Sequence, residues 1–349
     1  MLRKNSKIFF IISSLKKSSG SERVACILAN KLVEKLNYDV TILNRDANFG
    51  EVAYPLDSRV KVRKILGSQL SFYNSLVQEV KNNNPDTVVV HNMGKLSLLC
   101  SLIPKINKLV VLEHVSFISR PKLVQFLSKI LYKKIHQVVT LTQRDKLTFD
   151  DFHLNVTVIP NFSPFPIKIN KEFGHKQIVS IGRLTDQKNY LHLLKAWEKI
   201  FHQLPEWKLC IYGEGEHKVL LADYIKVNKL PNVFLKGVTS NVQDVYDSSD
   251  FFVMSSKYEG LPMVLIEAQS FGLPIVSYDC PNGPSDVIQE NQNGLLVEDQ
   301  NIDKLAEAIL KLASSPNLLD RFSQESLLNA KKYQPEQILK IWNEKILQG

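Results

Sequence analysis

Short apolar runs alternate along this chain with longer stretches in which apolar residues recur every three or four positions. Residues 251–254 are typical of the short runs, and Val24, Leu28 and Leu32 are typical of the longer spacing. Continuous short runs predict buried parallel strands, and the longer spacing predicts amphipathic helices that cover them. The predicted strands span residues 7–13, 39–43, 60–65, 87–90, 110–113, 137–141 and 156–159, and then 177–181, 208–211, 233–235, 251–254, 274–277 and 295–297.

The two series of strands are separated by an irregular segment at residues 161–174. This segment holds Pro164, Pro166 and Gly174 and carries no helical period, which is typical of a linker. A length of 349 residues is sufficient for two domains of ordinary size. We therefore predict an α/β protein with a Rossmann-like domain over residues 1–165, a second one over residues 166–334, and a final helix over residues 335–349.

Charge is distributed unevenly between the two halves. The first 165 residues hold 24 Lys and Arg against 12 Asp and Glu, and the remainder holds 20 against 23, which together give the net charge of +9. A charge that served only solubility would not divide in this way. We expect the amino-terminal half to face an anionic partner, and nucleic acid and a phospholipid surface are the two candidates.

The sequence also predicts the compartment. No apolar run reaches the roughly 18 residues that span a bilayer, and the run from Ile8 to Ile12 is too short for a signal sequence and lacks a cleavage site. We expect a cytosolic protein. The four cysteines lack metal-ligand spacing and are predicted to be reduced packing residues: Cys26, Cys100, Cys210 and Cys280.

Two glutamates eight positions apart, Glu259 and Glu267, form the most informative chemical pattern. A Gly260-Leu261-Pro262 turn lies between them, after a buried strand and before a helix that begins near Met263. Both carboxylates can therefore face the crevice at the carboxyl end of a parallel strand, where open α/β sheets bind ligands.

Two cations and one loop suit an anionic ligand such as a diphosphate. Arg183 and Lys188 flank the end of one predicted strand and the start of the next helix, where the helix terminus is positive. In the first domain, the free amides of the loop Ser18-Ser19-Gly20-Ser21 point toward any phosphate placed there. A surface charge or an ordinary capped turn is the plain alternative for each of these taken alone.

These motifs together resemble the retaining glycosyltransferases of the two-Rossmann (GT-B) type, in particular glycosyltransferase family 4. The resemblance implies two Rossmann-like domains that face each other across a cleft, with the last helix crossing back onto the first domain. Family members usually carry two glycines in the first loop, and Ser19 takes the place of the first. Three segments carry the resemblance: Glu259 to Glu267 around the turn, Gly182-Arg183-Leu184 followed by Lys188-Asn189, and Ser19-Gly20-Ser21-Glu22-Arg23-Val24.

The resemblance also implies roles for individual residues. Arg183 and Lys188 are expected to bind the donor diphosphate, Glu267 to accept hydrogen bonds from the ribose, and Glu259 to contact the transferred sugar. His114, which follows a strand of the first domain, is expected to touch the sugar near the reaction centre, and His91 is a weaker candidate. The expected catalytic residues are Glu259, His114, Arg183 and Lys188, and the expected donor-binding residues are Gly20, Arg183, Lys188, Gly213, Val238, Glu259, Gly260, Leu261 and Glu267.

No metal is expected. The sequence contains no Asp-x-Asp, the usual carboxylate clamp for a divalent cation on a sugar nucleotide, and its histidines form no ligand cluster. Arg183, Lys188 and helix dipoles would then take the place of the metal.

The function predicted from the sequence is metal-independent, retaining transfer of a hexose or N-acetylhexosamine from a UDP-sugar to a lipid-linked saccharide. The segment from Cys280 to Asp286, followed by Asn293-Gly294-Leu295-Leu296-Val297, resembles family members that build bacterial surface polysaccharides such as O-antigen, capsule or lipopolysaccharide. This resemblance favours galactose or N-acetylgalactosamine. A non-catalytic sugar-nucleotide-binding partner and a basic nucleic-acid-binding protein are the alternatives. No nucleic-acid recognition motif is present, so nucleic acid is not expected as a partner.

A helical stretch that begins at Pro121 indicates where in the cell the protein resides. It combines an apolar stripe with a lysine-bearing side, which is typical either of a core helix with solvated lysines or of a helix that rests on an anionic membrane surface. With the basic first domain, it predicts a peripheral protein on the cytoplasmic face of the inner membrane. The stripe consists of Leu123, Phe126, Leu127, Ile130 and Leu131, and the lysines are Lys122, Lys129 and Lys133.

Overall fold

A computed structural model describes residues 6–16, 20–45, 52–92, 94–117, 120–149 and 152–348. The chain divides into two compact units: unit 1 comprises Met1–Asn161 and Pro335–Gly349, and unit 2 comprises Phe162–Gln334. The sequence analysis placed the boundary after residue 165. The structure places it earlier because the amide of Ser163 donates to the carbonyl of Tyr333 and the hydroxyl of Ser270 donates to that of Ser163, so this segment packs within unit 2.

Unit 1 is built on a parallel sheet whose described strands lie in the order β3-β2-β1-β4-β5-β6-β7. The central strands are apolar and buried, whereas the edge strand β3 is exposed and charged, which protects the open edge from pairing with another chain. The strands are β1 (Lys7–Ile12), β2 (Asp39–Asn44), β3 (Lys61–Lys64), β4 (Thr87–Asn92), β5 (Leu109–Glu113), β6 (Gln137–Thr140) and β7 (Val156–Val158). The helices are α1 (Gly20–Leu36), α2 (Gln69–Asn83), α3 (Lys95–Cys100), α4 (Lys122–Leu131) and α5 (Gln143–Thr148).

Unit 2 repeats this architecture with a parallel sheet in the order β10-β9-β8-β11-β12-β13. Its strands are β8 (Gln177–Ile181), β9 (Lys208–Tyr212), β10 (Val233–Gly237), β11 (Phe251–Met254), β12 (Ile275–Tyr278) and β13 (Gly294–Val297). Its helices are α6 (Tyr190–Ile200), α7 (Lys218–Val227), α8 (Val242–Asp247), α9 (Met263–Ser270), α10 (Pro284–Val287), α11 (Ile302–Ala313) and α12 (Pro316–Ala330).

The chain ends in unit 1 with α13 (Pro335–Ile341) and a π-helical turn (Trp342–Leu347). The hydroxyl of Tyr38 donates to Oδ1 of Asn343 at 2.7 Å, and Trp342 and Ile346 are buried. The last helical segment therefore packs within unit 1 although unit 2 separates it from the rest of that unit in sequence.

Strand order places the candidate residues in both units. In unit 2 the chain winds outward from β8 to β10 and then returns to continue from β11 to β13, so the winding reverses between β8 and β11. In unit 1 the reversal lies between β1 and β4. At such switch points the loops after the carboxyl ends diverge and leave a crevice for a ligand. Arg183 and Lys188 follow β8 and Glu259 follows β11, so these residues share one switch point.

The predicted fold is confirmed: every predicted strand is present, with ends that differ by at most two residues. The four cysteines are free and buried, as packing residues are expected to be. No helix within the described ranges is long and apolar enough to cross a membrane.

Candidate active site

The loops that follow β8 and β11 are hydrogen-bonded to each other. The amide of Lys257 donates to the carbonyl of Gln187 at 2.8 Å, and the buried hydroxyl of Ser255 donates to the carbonyl of Lys188 at 2.9 Å. Both bonds join residues about 70 positions apart in sequence. The two loops therefore form one surface at the carboxyl edge of the sheet in unit 2.

Lys188 and Glu259 pair directly on this surface. Nζ of Lys188 donates to Oε1 of Glu259 at 2.6 Å, and the exposed fractions of the two side chains are 17% and 8%. Charge-assisted bonds of this length are strong when water is largely excluded. The ion pair also influences its surroundings, because burial and the Glu259 carboxylate raise the pKa of the nearby Cys280 thiol to about 12.

A glycine makes room for the lysine stem. A methyl group added at Gly182 would lie 3.2 Å from Cε of Lys188 and 2.8 Å from the hydroxyl of Tyr190, which is fully buried beneath the loop. The Gly-Arg-Leu motif thus has a steric reason for its first residue: Gly182 lets the Lys188 side chain reach Glu259.

Arg183 supplies a second cation beside this pair. Its side chain is exposed, and no carboxylate within the described ranges forms an ion pair with it. Because Glu259 compensates the charge of Lys188, Arg183 gives this surface a net positive charge. The surface can attract an anion through Arg183 and then offer Lys188 as a second donor.

A third loop, after β9, packs against the Arg183 loop by very close backbone contact. Gly213 has φ of +144°, and a methyl group there would lie 1.9 Å from the carbonyl oxygen of Gly182. The amide of Gly182 in turn donates to the carbonyl of Tyr212 at 2.9 Å. The sequence analysis assigned Gly213 to the approach of a nucleotide base. The structure shows that it permits the approach of protein backbone, and a base contact stays a prediction.

Changing Gly213 to alanine should destabilise unit 2 by about 2 to 6 kcal/mol, because a strained φ and overpacking each cost about 1 to 3 kcal/mol. Urea unfolding of the whole chain measures this loss. Gly174→Ala is the matched control, since Gly174 also has a positive φ, +104°, but no atom lies within 4 Å of an added methyl group. Equal losses in the two variants would contradict the steric argument.

Glu267 lies on α9 and is only 2% exposed. Its Oε2 accepts a hydrogen bond from the hydroxyl of Tyr246 at 3.1 Å, so the buried carboxylate is held by a neutral donor from α8. The predicted contact with a ribose is not tested by this geometry and stays a prediction.

The turn between the two glutamates presents backbone donors. Leu261 is buried, Pro262 is the N-cap of α9, and no side chain in the described ranges caps that helix. The amide of Leu265 donates to the carbonyl of Pro262, so the amides of Met263 and Val264 are the ones left to solvent or to a ligand. Val238, which follows β10, is 75% exposed and can form part of a ligand surface.

Ser256 was missed by the sequence analysis. It lies two residues after the end of β11 and is completely buried, yet its hydroxyl has no hydrogen-bond partner within the described part of the chain. Its position one residue beyond Ser255, at the carboxyl end of a switch-point strand, was the available signal.

In unit 1 the structure brings the two candidate histidines together. His91 lies on β4 and His114 follows β5, with Nδ1 of His91 3.1 Å from Nε2 of His114. Burial lowers the pKa of His114 to about 4, and burial and the charge of His114 lower that of His91 well below its usual value. Both rings are therefore neutral at pH 7. Gly20 is exposed at the start of α1, whereas Ser18 and Ser19 lie outside the described residues.

A buried polar network next to His114 was also missed. Arg120 donates to the carboxylate of Glu113 and, at 2.9 Å, to the hydroxyl of Tyr132, which itself donates to Glu113 at 2.7 Å. All three side chains are buried. The network connects the carboxyl end of β5 to both ends of α4. The sequence did not predict it, because an arginine such as Arg120 is typical of the protein surface.

Helix α4 exposes part of the apolar stripe that the sequence analysis identified. Val124 and Ser128 face the core, whereas Leu123, Phe126 and Ile130 are 69%, 60% and 53% exposed. The exposed residues recur at helical spacing and form an apolar ridge on the surface of unit 1. Lys122, Lys129 and Lys133 are exposed beside this ridge.

No group of three or more His, Cys, Asp or Glu side chains in the described ranges is arranged to hold a metal ion. Metal independence stays a prediction.

Comparison with known proteins agrees with this arrangement. Residues 163–327 match the family model described as glycosyl transferases group 1. The chain is 35% identical over 353 residues to the amylovoran biosynthesis glycosyltransferase of Erwinia amylovora, with 97% of this chain and 99% of that protein covered.

A second relative comes from Campylobacter jejuni and is 28% identical over 343 residues, with 93% of each chain covered. Its name describes an alpha-1,4-N-acetyl-D-galactosaminyltransferase for GalNAc-alpha-(1->4)-GalNAc-alpha-(1->3)-diNAcBac-PP-undecaprenol. Among solved structures, Anabaena HepE in complex with UDP superposes with a TM-score of 0.82 at 16% identity, covering 98% of this chain and 100% of that one. This similarity shows the fold.

Proposed function

This chain belongs to the family of glycosyl transferases group 1 and has the GT-B fold, and from that premise we propose a specific reaction. The enzyme transfers a hexose or an N-acetylhexosamine from a UDP-sugar to a lipid-linked saccharide. The general role, a glycosyltransferase of bacterial polysaccharide synthesis, rests on the whole-length similarity to the amylovoran enzyme. The single observation that carries the donor assignment is the Lys188–Glu259 pair, with Arg183 on the same loop as Lys188 and without an ion-pair partner among the described residues.

The donor diphosphate explains why two cations and a carboxylate share this surface. Departure of UDP leaves negative charge on a phosphate oxygen, and fixed cations stabilise that charge as it develops. Arg183 attracts the diphosphate, and Lys188 moves from Glu259 to the phosphate. The Glu259 carboxylate is then released to accept hydrogen bonds from hydroxyl groups of the sugar.

The remainder of the donor is assigned to the neighbouring elements of unit 2. Glu267 accepts from the ribose hydroxyls, and the amides at Gly260 and Leu261 direct dipoles toward the sugar or phosphate. Gly213 and Val238 border the base. A UDP complex of a protein with the same fold supports uridine as the base.

We propose that the reaction retains the anomeric configuration and needs no metal. The bond between the anomeric carbon and the phosphate oxygen breaks, and the acceptor oxygen bonds to the same face of the sugar. The acceptor hydroxyl gives its proton to the departing phosphate. Arg183 and Lys188 supply the positive charge that a metal would otherwise provide, and positioning supplies much of the rate.

Features of unit 1 and the name of one relative support the proposed acceptor and the proposed location of the enzyme. The name of the Campylobacter protein includes a saccharide on PP-undecaprenol and the transfer of N-acetylgalactosamine, which favours a lipid-linked acceptor and galactose or N-acetylgalactosamine here. An exposed apolar ridge flanked by lysines suits an anionic bilayer. We place the enzyme peripherally on the cytoplasmic face of the inner membrane.

Nucleotide-sugar binding tests the donor assignment. UDP-galactose or UDP-N-acetylgalactosamine at about 100 times its Kd should stabilise the protein by ~2.7 kcal/mol, because a ligand that binds only the folded state shifts the unfolding equilibrium. A thermal-shift panel with GDP-mannose as control measures this effect, and slow release of UDP without acceptor measures turnover. Stabilisation by no UDP-sugar would exclude the proposed donor, whereas stabilisation without any UDP release would indicate a non-catalytic binding protein.

A further inference from the structure

The geometry of the contact between His91 and His114 restricts where each ring carries its proton. His91 is 3% exposed and its ring packs 4.6 Å from that of Phe10, while the His91 and His114 rings stack with centroids 5.3 Å apart and planes 21° apart. Nδ1 of His91 lies 3.1 Å from Nε2 of His114. Nε2 of His91 is buried and has no hydrogen-bond partner in the described parts of the chain.

Only two proton arrangements satisfy this contact when both rings are neutral, since each neutral imidazole carries one N–H. In the first, Nδ1–H of His91 donates to Nε2 of His114, and the buried Nε2 of His91 is a bare acceptor. In the second, Nε2–H of His114 donates to Nδ1 of His91, and the proton of His91 is then on its buried Nε2.

The two arrangements differ in the group that is left without a partner. The second leaves a buried N–H donor without a partner, which folded proteins almost never contain, whereas under-satisfied acceptors are less rare. The first is therefore favoured. It places the only proton of His114 on Nδ1.

We propose that His91 is a positioning residue that holds His114 in the tautomer with the proton on Nδ1. This inference rests on the proposed glycosyl transfer and on the contact with the transferred sugar that the family resemblance leads us to expect for His114. In that tautomer, Nε2 of His114 already accepts a hydrogen bond, and Nδ1 can only donate one. His114 then serves the reaction as a neutral donor to an oxygen atom of the sugar.

The tautomer of His114 determines whether this residue can accept a proton during the reaction. A ring whose basic nitrogen is occupied by His91 has no free lone pair for the proton of the acceptor hydroxyl. His114 is thereby excluded as the general base, and the proton is left to the departing phosphate oxygen, as the retaining reaction requires.

The tautomer can be measured directly on the whole, ligand-free protein. Long-range proton–nitrogen NMR of protein with ¹⁵N-labelled histidine distinguishes a protonated from an unprotonated ring nitrogen, and His114→Gln identifies the signals of His114 by their loss. We expect Nδ1 of His114 to be protonated and Nε2 to be unprotonated at pH 7. Protonation of Nε2 in the wild-type protein would overturn the proposal without affecting the donor assignment.

Two substitutions separate positioning from packing. His91→Phe keeps an aromatic ring but removes the donor, and we expect a mixed tautomer of His114 and a loss of kcat of about tenfold. His91→Asn is smaller, yet its amide offers an N–H near the place of Nδ1–H, and we expect it to keep the Nδ1–H tautomer and most of the turnover. Circular dichroism and thermal unfolding show whether both variants fold.

The outcomes are distinguishable. Recovery with His91→Asn but not with His91→Phe supports positioning, whereas better function in His91→Phe means that His91 only fills space and overturns it. If the NMR result holds but neither His91→Phe nor His114→Gln changes turnover, the proposed contact of His114 with the sugar is wrong and the catalytic part of the inference is overturned with it.

Discussion

Replacing Arg183 with alanine should lower kcat/KM by about 30- to 1,000-fold, which corresponds to roughly 2 to 4 kcal/mol of lost transition-state stabilisation. The physical reason is that Arg183 is an exposed cation on the loop of the Lys188–Glu259 pair and forms no ion pair within the part of the chain that the structure describes. Steady-state kinetics with a UDP-sugar donor measures the effect. The loss should appear in kcat as well as in kcat/KM, because the charge on the phosphate grows as the bond to the sugar breaks.

Lys188→Ala should cost a similar amount of activity but should also destabilise unit 2. It leaves the largely buried carboxylate of Glu259 without its partner, and an unpaired buried charge is costly.

Glu259→Gln should impair turnover, whereas Glu267→Gln should mainly weaken donor binding. A cycle of Lys188→Ala, Glu259→Gln and the double variant then separates the energy of the pair from the contact with substrate.

Lys208→Ala is the matched control for this series. Lys208 is exposed at the opposite, amino-terminal edge of the same sheet, so its removal changes the net charge equally but should leave kcat/KM within about threefold. Near-normal turnover in the Arg183, Lys188, Glu259 and Glu267 variants would show that this surface is not the donor site.

Changing Leu123, Phe126 and Ile130 together to serine should abolish binding to anionic vesicles, with a loss on the order of 100-fold or more. Each of these side chains is more than half exposed in the free protein, and burial of one such side chain contributes about 1.5 to 3 kcal/mol when it is complete. The ridge can therefore contribute apolar burial at a membrane surface. Sedimentation with vesicles that contain phosphatidylglycerol measures the loss.

Charge and apolar burial should respond differently to salt. Each lysine near an anionic surface contributes about 1 kcal/mol, and this attraction is screened within a Debye length, about 3 Å at 1 M salt. We therefore expect the joint change of Lys122, Lys129 and Lys133 to glutamate to remove low-salt binding while UDP binding is unchanged. The wild-type protein should lose most of its binding near 1 M salt, and what remains should depend on the three apolar residues.

Helix α7 in unit 2 provides the matched control for the ridge. Val219, Leu220 and Val227 are 70%, 47% and 76% exposed there, and their joint change to serine should leave vesicle binding intact. Equal sedimentation with neutral and anionic vesicles at every salt concentration would contradict the membrane assignment. Vesicle binding that persists after the serine changes would show that the ridge does not contribute to that binding.

Much of the fold could be predicted from local pattern. Short β-branched runs and helical spacing depend on neighbouring residues only, so they predicted each strand and the division into two sheets. The motif around Glu259 and Glu267 and the Gly-Arg-Leu motif identified the family because their side chains follow strand ends, which sequence order alone specifies.

Contacts between distant segments were decided by the tertiary structure. Lys188 and Glu259 are 71 positions apart, and they meet because β8 and β11 are neighbours across the switch point of the sheet. His91 and His114 meet in the same way, because β4 and β5 pair in parallel and end at one edge. The steric role of Gly213 also required a neighbour, the carbonyl of Gly182, that no local pattern specifies.

The sequence by itself thus determined the two α/β units, the family and the chemistry available at the strand ends. The tertiary structure decided which of those groups pair and which side of α4 faces outward. Periodicity showed that α4 is amphipathic, but its apolar positions outnumber those that the core can accept. The buried network of Glu113, Arg120 and Tyr132 at its two ends orients the helix so that Val124 faces the core and Leu123, Phe126 and Ile130 face out.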